Sequence, residues 1–148
     1  MKTSDKIVEP NAAAAVVAQW QGQSERVVFS NGCFDILHLG HIDYLEKARL
    51  LGDRLVIGVN TDMSVKKLKG PLRPVNNEES RAKMLAALSF VDLVVLFGQE
   101  TPFDLIRTIQ PDVLVKGNDY LAENIVGADI VKSRGGEVKT VDLVPGYS

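Results

Sequence analysis

The chain is poor in the residues that would staple, anchor or polarise it. Its one cysteine is Cys33, so no intrachain disulfide can form and a disulfide-built secreted scaffold is excluded. Its longest uninterrupted apolar run, Ala12 to Ala18, has seven residues, far short of the roughly 20 that span a bilayer. Neither sign of charge dominates. Seventeen Lys and Arg stand against 19 Asp and Glu, a net charge of −2 with a pI near 5.7. That balance speaks against a dedicated duplex-DNA binder and leaves nucleic acid off the expected partners. No internal repeat and no low-complexity linker occurs. A secretory leader would begin with positive charge and continue as unbroken apolar sequence. Here Asp5, Glu9 and Pro10 precede the alanine–valine run, and Gln19, Gln21 and Gln23 follow it. The run is expected instead as an N-terminal helix of about three turns, with Trp20 docked on the body. The expected setting is the cytoplasm, with no membrane partner.

What is present suffices for one domain. The 148 residues weigh 16.2 kDa and are 45% apolar and 24% charged, a globular composition. Area scaling gives about 16,000 Å² buried on folding, enough for a core without a metal or disulfide staple. Short β-branched runs alternate with helical patterns. The runs are Val27-Val28-Phe29, Leu55 to Val59, Leu93 to Phe97, Val113-Leu114-Val115 and Val138 to Val141. Nearly continuous apolar runs suit strands covered on both faces, as in parallel sheets. Between them Ile42, Leu45, Ala48 and Leu51 recur at helical spacing, as do Met84, Leu85 and Leu88. Asn76 with Glu79 suggests a capping box for that second helix. A third is expected from Thr101 as N-cap with Pro102 at its first position and Asp104 in its first turn. A fourth runs from about Ala128 to Arg134 and stops at Gly135-Gly136. The pattern predicts an α/β fold: a Rossmann-like, doubly wound, five-stranded parallel sheet in a single domain. Residues 1–24 form an N-terminal helical extension, and residues 25–148 form the domain. Ligands of such sheets sit beyond the carboxyl ends of the strands.

Three stretches there carry chemistry. After the first strand comes Asn31-Gly32-Cys33-Phe34-Asp35-Ile36-Leu37-His38-Leu39-Gly40-His41, which holds both histidines of the chain. Histidines three apart share one side of an entering helix. Gly40 lets a ligand approach the backbone, and the helix start adds N–H groups and partial positive charge. The set suits a polyphosphate, with imidazoles donating to oxygens whose charge grows during reaction. Zinc would need further ligands, and no other His or Cys cluster exists. The second stretch, Lys66 to Pro74, packs four cations into eight residues from Lys66 to Arg73 and ends in Gly and Pro breakers. It is expected as a mobile basic flap over phosphates, and Arg81 just beyond it is a further phosphate candidate. The third, Lys116-Gly117-Asn118-Asp119-Tyr120, offers Gly117 for close approach and Asp119 as an acceptor for ribose hydroxyls.

Gly32-Cys33-Phe34-Asp35 followed by His38-Leu39-Gly40-His41 resembles the signature of the cytidylyltransferase-like nucleotidyltransferases. Their H-x-G-H stretch is also related to that of class I aminoacyl-tRNA synthetases. Leu51-Gly52-Asp53-Arg54-Leu55, Leu68-Lys69-Gly70, Arg73-Pro74-Val75-Asn76, Lys116 to Tyr120 and Gly135-Gly136-Glu137-Val138 extend the likeness. Over about four-fifths of the chain, from Arg26 onward, it is similar to bacterial heptose 1-phosphate adenylyltransferases in their stand-alone form. The resemblance implies transfer of AMP from ATP to a heptose 1-phosphate, with release of pyrophosphate, for lipopolysaccharide precursors. It implies that His38 and His41 stabilise the reacting phosphorus and the leaving group. Lys67 and Lys69 match the family's basic loop, and Lys69 is taken as catalytic with the histidines. The nucleotide pocket would be lined by the backbone of Asn31, Gly32, Cys33 and Phe34, with Gly40, Gly117, Arg81 and the ribose-side acid Asp119. Mg²⁺ is expected to arrive with ATP, and the expected assembly is a homodimer or higher homo-oligomer.

Two features depart from the family pattern. A Ser/Thr-rich turn should open a last helix, and here the sequence reads Gly146-Tyr147-Ser148 at that point, so that helix is expected to be missing. Residues 1–23 lie outside the resemblance. The alternatives left open are a cytidylyltransferase acting on glycerol 3-phosphate or a similar small phosphorylated alcohol, and a nucleotide-sensing module without turnover.

Overall fold

The computed structural model of the chain describes residues 1–146. The turn expected beyond Gly146, at Tyr147 and Ser148, lies outside the described residues. The β-branched runs form five strands: β1 (Val27–Gly32), β2 (Arg54–Asn60), β3 (Leu93–Phe97), β4 (Val113–Gly117) and β5 (Glu137–Val141). They make one sheet in the order β3-β2-β1-β4-β5, and every pairing is parallel. Six helices connect or cover them: α1 (Pro10–Gly22), α2 (Leu39–Arg49), α3 (Asp62–Lys69), α4 (Glu78–Ala86), α5 (Phe103–Ile109) and α6 (Ala128–Ser133). The fold is the expected single α/β domain.

Alternation along each strand divides the core in two. Val27, Phe29, Val56, Val95 and Leu114 face α1, α5 and α6, where they meet Ala13, Val17, Ile106 and Val131. Val28, Leu55, Ile57, Val94 and Val115 face α2 and α4, where they meet Leu45, Ala48 and Leu85. Each fully buried Leu, Ile or Phe contributes about 1.5–3 kcal/mol through lost water contact. The N-terminal helix is part of this packing: Ala13 and Val17 are fully buried. The Arg54 guanidinium lies 4.7 Å over the Trp20 ring. Ahead of α1, Val8 N–H donates to the Val94 carbonyl at 3.0 Å, which covers the outer edge of β3.

Three local expectations are corrected. Lys66, Lys67 and Lys69 do not lie in a loop but form the last turn of α3. Thr61 caps that helix by accepting the Ser64 N–H, Asp62 suits its first turn, and Val65 is buried beneath it; the chain leaves helix only at Gly70, with φ 99°. The cap of α4 is Asn77, which accepts the Ser80 N–H at 2.8 Å. Asn76 is occupied elsewhere, donating to the Asp35 carbonyl at 2.6 Å. The N-cap of α5 is Pro102, one residue later than expected, a difference within the usual fraying of helix ends.

Arg81 on α4 is 1% exposed. Its guanidinium donates to the carbonyls of Asn76 (2.9 Å), Cys33 (2.8 Å) and Asn60 (2.7 Å) and to the Asp62 carboxylate (2.8 Å). One side chain thus ties the ends of β1 and β2 to the starts of α3 and α4. Arg81→Met should cost at least about 3 kcal/mol in urea unfolding, because one buried and two part-buried carbonyls and the Asp62 carboxylate lose their donor. Arg107→Ala, at an exposed arginine, should stay within about 0.5 kcal/mol. Similar small losses for both would refute the role given to Arg81.

Candidate active site

Strand order reverses between β1 and β4, and ligands of parallel sheets bind beyond the carboxyl ends at that reversal. A cleft of about 660 Å³ opens there. From the turn between β1 and α2 it gathers Asn31 to Phe34, His38, Gly40 and His41. Lys69 comes from the end of α3, and Gly117 and Asp119 from the end of β4. Lys67 lies on the exposed side of α3 and does not line the cleft, and Arg81 is the buried tie described above. The phosphate contact expected of Arg81 is therefore replaced by a structural one: all its bonds go to the backbone and to Asp62.

The two histidines are locked by the backbone that carries them. His38 is the N-cap of α2, and its Nδ1 accepts the Gly40 N–H at 3.1 Å. The Nδ1 of His41 accepts the His38 N–H at 3.3 Å. The rings stack with centroids 3.9 Å apart and 18° between planes. An imidazole that accepts through Nδ1 carries its proton on Nε2. Burial, with His38 beside it, pushes His41 down to about 4, so this ring is neutral near pH 7. The free helix-start N–H groups expected here are largely spent: Gly40 N–H goes to His38 Nδ1, and His41 N–H goes to the His38 carbonyl at 3.0 Å. His41, which lines the cleft, thus carries its proton on Nε2.

Phe34 and Asp35 hold the turn in place. Phe34 has φ 48°, a costly left-handed conformation for a bulky residue. Its ring stands edge-on to His41, with centroids 5.3 Å apart. Gly32 makes room for it, since a Cβ there would sit 3.0 Å from the Phe34 ring. The Asp35 carboxylate accepts the N–H groups of Val75 and Asn76, both at 2.9 Å, and the Arg73 guanidinium at 3.0 Å. Burial alone would raise this carboxyl, but the Asn76 and Val75 N–H groups and Arg73 outweigh it and hold it below the usual carboxylate range. Cys33 is a neutral thiol, because burial pushes it up despite the cations around it.

The opposite wall holds a residue that the motif reading did not single out. Lys116 ends the apolar run of β4, lines the cleft and donates to the Asn31 carbonyl at 3.1 Å. Burial pushes its ammonium down to about 8, with Asp119 and Cys33 partly opposing the shift. A lone cation at the carboxyl end of an otherwise apolar strand was the available signal. Next to it, Tyr44 reaches across from α2 to donate to the Val115 carbonyl at 2.9 Å. Gly117 is small because a Cβ there would meet Asp119 Oδ1 at 2.8 Å and Leu143 at 2.9 Å.

Comparison with known proteins gives consistent results. Residues 29–140 match a family described as cytidylyltransferase-like. The "Bifunctional protein HldE" of Methylobacillus flagellatus is 55% identical over 98% of this chain, and that of Magnetococcus marinus is 56% identical over 98%. The chain spans about 30% of the length of these curated relatives. Among solved structures, the lipopolysaccharide core biosynthesis protein from Thermoplasma volcanium superimposes with a TM-score of 0.64 at 32% identity, covering 81% of this chain and 97% of that one.

The Asp35 anchor is testable by itself. A carboxyl depressed by folding contributes stability that is full above its unfolded value, near 3.9, and is lost as pH falls through the lower folded value. Asp35→Ala removes the anchor at every pH. Amide exchange at Val75 and Asn76 should then accelerate by about tenfold or more, while amides of β1 and β2 keep their protection. Unchanged exchange at Val75 and Asn76 would contradict the anchoring.

Proposed function

This chain belongs to the cytidylyltransferase-like family of nucleotidyltransferases, and from that premise we propose that it transfers AMP from ATP to a heptose 1-phosphate. The products are ADP-heptose and pyrophosphate, made in the cytoplasm for lipopolysaccharide precursors. The observation that carries the reading is the stacked histidine pair, whose Nδ1 atoms are both occupied by backbone N–H groups. The Leu68-Lys69-Gly70, Arg73 to Asn76 and Lys116 to Tyr120 stretches support the heptose acceptor, as does likeness to a lipopolysaccharide core biosynthesis protein.

In this reaction an oxygen of the acceptor's phosphate attacks the α-phosphorus of ATP. A new P–O bond forms as the bond from the α-phosphorus to the α–β bridging oxygen breaks, and the electron pair leaves on pyrophosphate. No proton must move and no covalent enzyme intermediate forms, so catalysis is positioning and electrostatics. His38 and His41 direct Nε2–H groups at the oxygens that gain charge, a set of donors fixed before the reaction begins. Lys69 meets the phosphate tail from the end of α3, whereas Lys67 does not line the cleft. Asn31 to Phe34 and Gly40 present backbone to the nucleotide, with Gly117 and Asp119 on its ribose side.

Mg²⁺ enters as part of the substrate, bound to the ATP phosphates and neutralising them. The donor set fits that arrangement. The Asp35 oxygens are occupied by Val75, Asn76 and Arg73. Among the described residues no group of three or more His, Cys, Asp or Glu could hold an ion.

Pyrophosphate release from ATP or CTP, tested against heptose 1-phosphate, glycerol 3-phosphate and other phosphorylated acceptors, decides the reaction. ATP with heptose 1-phosphate should be the productive pair; preference for CTP with a small alcohol phosphate, or nucleotide binding without release, would contradict it. On the productive pair, His41→Ala should lower kcat by about 10²-fold or more. The nucleotide KM should change far less, because the lost donation belongs to the transition state. Equal losses in affinity and turnover would reduce His41 to a binding group.

A further inference from the structure

The ladder between β1 and β4 is short. It pairs only Val28 with Val113 and Phe29 with Leu114, whereas β1 pairs with β2 over six positions from Val27 to Gly32. Beyond Phe29 and Leu114 the two strands part, and side chains take over the backbone groups left without a ladder. Ser30 and Tyr44 both donate to the Val115 carbonyl at 2.9 Å. Lys116 crosses the gap to the Asn31 carbonyl. The floor of the cleft is therefore the parted end of these strands, and its one cation is Lys116.

That cation has Asp119 nearby but no direct ion-pair partner among the described residues. Its other neighbour is the Tyr120 ring, 5.6 Å from Nζ. The residue whose carbonyl it meets, Asn31, also lines the cleft, and among the described residues its buried Oδ1 has no hydrogen-bond partner. A partly desolvated ammonium held by one carbonyl has donors to spare and gains most from an anion delivered into the cleft. The other cations there are committed or outlying: Arg73 is paired with Asp35, and Lys69 is exposed at the end of α3.

We propose that Lys116 is a catalytic residue whose ammonium contacts the phosphoryl group in transfer, between the α-phosphorus and the attacking phosphate oxygen. The inference rests on the transfer reaction given above, and it follows from the order of groups along the cleft. The ribose lies on the Asp119 side and the leaving pyrophosphate on the His38–His41 side. The α-phosphorus joins the two, over the floor where Lys116 and Asn31 meet. As the P–O bond to the acceptor forms and the bond to pyrophosphate breaks, charge on the equatorial oxygens is met by Lys116 from below. The electron pair still leaves on pyrophosphate, and Lys116 keeps its proton throughout.

The groups facing Lys116 are Asp119 and Tyr120 on its own loop and Cys33 across the gap. Its ammonium, pushed down to about 8 by burial, must be charged to act. In the unaltered chain kcat/KM should therefore fall as pH rises through about 8. Lys116→Arg should move that limb to higher pH, while Cys33→Ser should keep the limb and not move it to higher pH. Lys116→Met should lower kcat by about 10²-fold or more, with the KM for ATP within about threefold. A kcat within threefold of the parent, or an unmoved limb in Lys116→Arg, overturns the proposal. A separate arm needs no turnover: the ³¹P spectrum of bound α,β-methylene-ATP in the unaltered chain and in Lys116→Met. The α-phosphorus resonance should shift more than the γ; a shift confined to the γ-phosphorus, or none at all, overturns it. Failure of the unaltered chain to release pyrophosphate with any pair counts against the transfer reading alone, and the ³¹P comparison still decides Lys116.

Discussion

Two backbone N–H groups at the start of α2 end in imidazole rings, and most of what the cleft can do follows from that. Gly40 N–H fills the Nδ1 of His38, and His38 N–H fills the Nδ1 of His41. The helix start loses donors it would otherwise offer an anion and regains them as Nε2–H groups carried farther into the cleft. The exchange moves the donors outward without adding charge. Neutral donors of fixed direction favour the state in which charge has grown where they point.

The rest of the site keeps that geometry from relaxing. Phe34, held at positive φ, presses its ring edge against His41, and Gly32 leaves it the space. Asp35 spends its charge on the Val75 and Asn76 N–H groups, which brings the loop after α3 onto the turn after β1. Arg81 binds the Cys33 carbonyl of the same turn. The two strongest charges near the turn are thus consumed in holding backbone. In the proposed reaction, cationic contact with phosphates falls to Lys69 and Lys116, both of which line the cleft.

The sheet and its two layers were legible in the sequence because parallel strands covered on both faces must read as apolar runs. The H-x-G-H turn was legible because both histidines of the chain fall in it. What escaped notice were residues whose role depends on partners distant in sequence. Arg81 looks like any surface helix arginine until Cys33, Asn60 and Asp62 are brought around it by the fold. Lys66 to Lys69 read as a flap because charge density and the following Gly and Pro hide the cap at Thr61 and the single apolar contact of Val65. Lys116 acquires its character from the parting of β1 and β4, which no local pattern records.

The cleft's chemistry turns on His41 being a neutral Nε2–H donor, its Nδ1 filled by the His38 N–H, before any substrate binds. Nitrogen-15 NMR of the imidazole rings in the unliganded protein at pH 7 tests it directly, since protonated and unprotonated ring nitrogens resonate far apart. His41 should show a bare Nδ1 and a protonated Nε2, and it should keep that pattern until the pH approaches about 4. A proton on Nδ1 of His41, or an imidazolium there near pH 7, would contradict it.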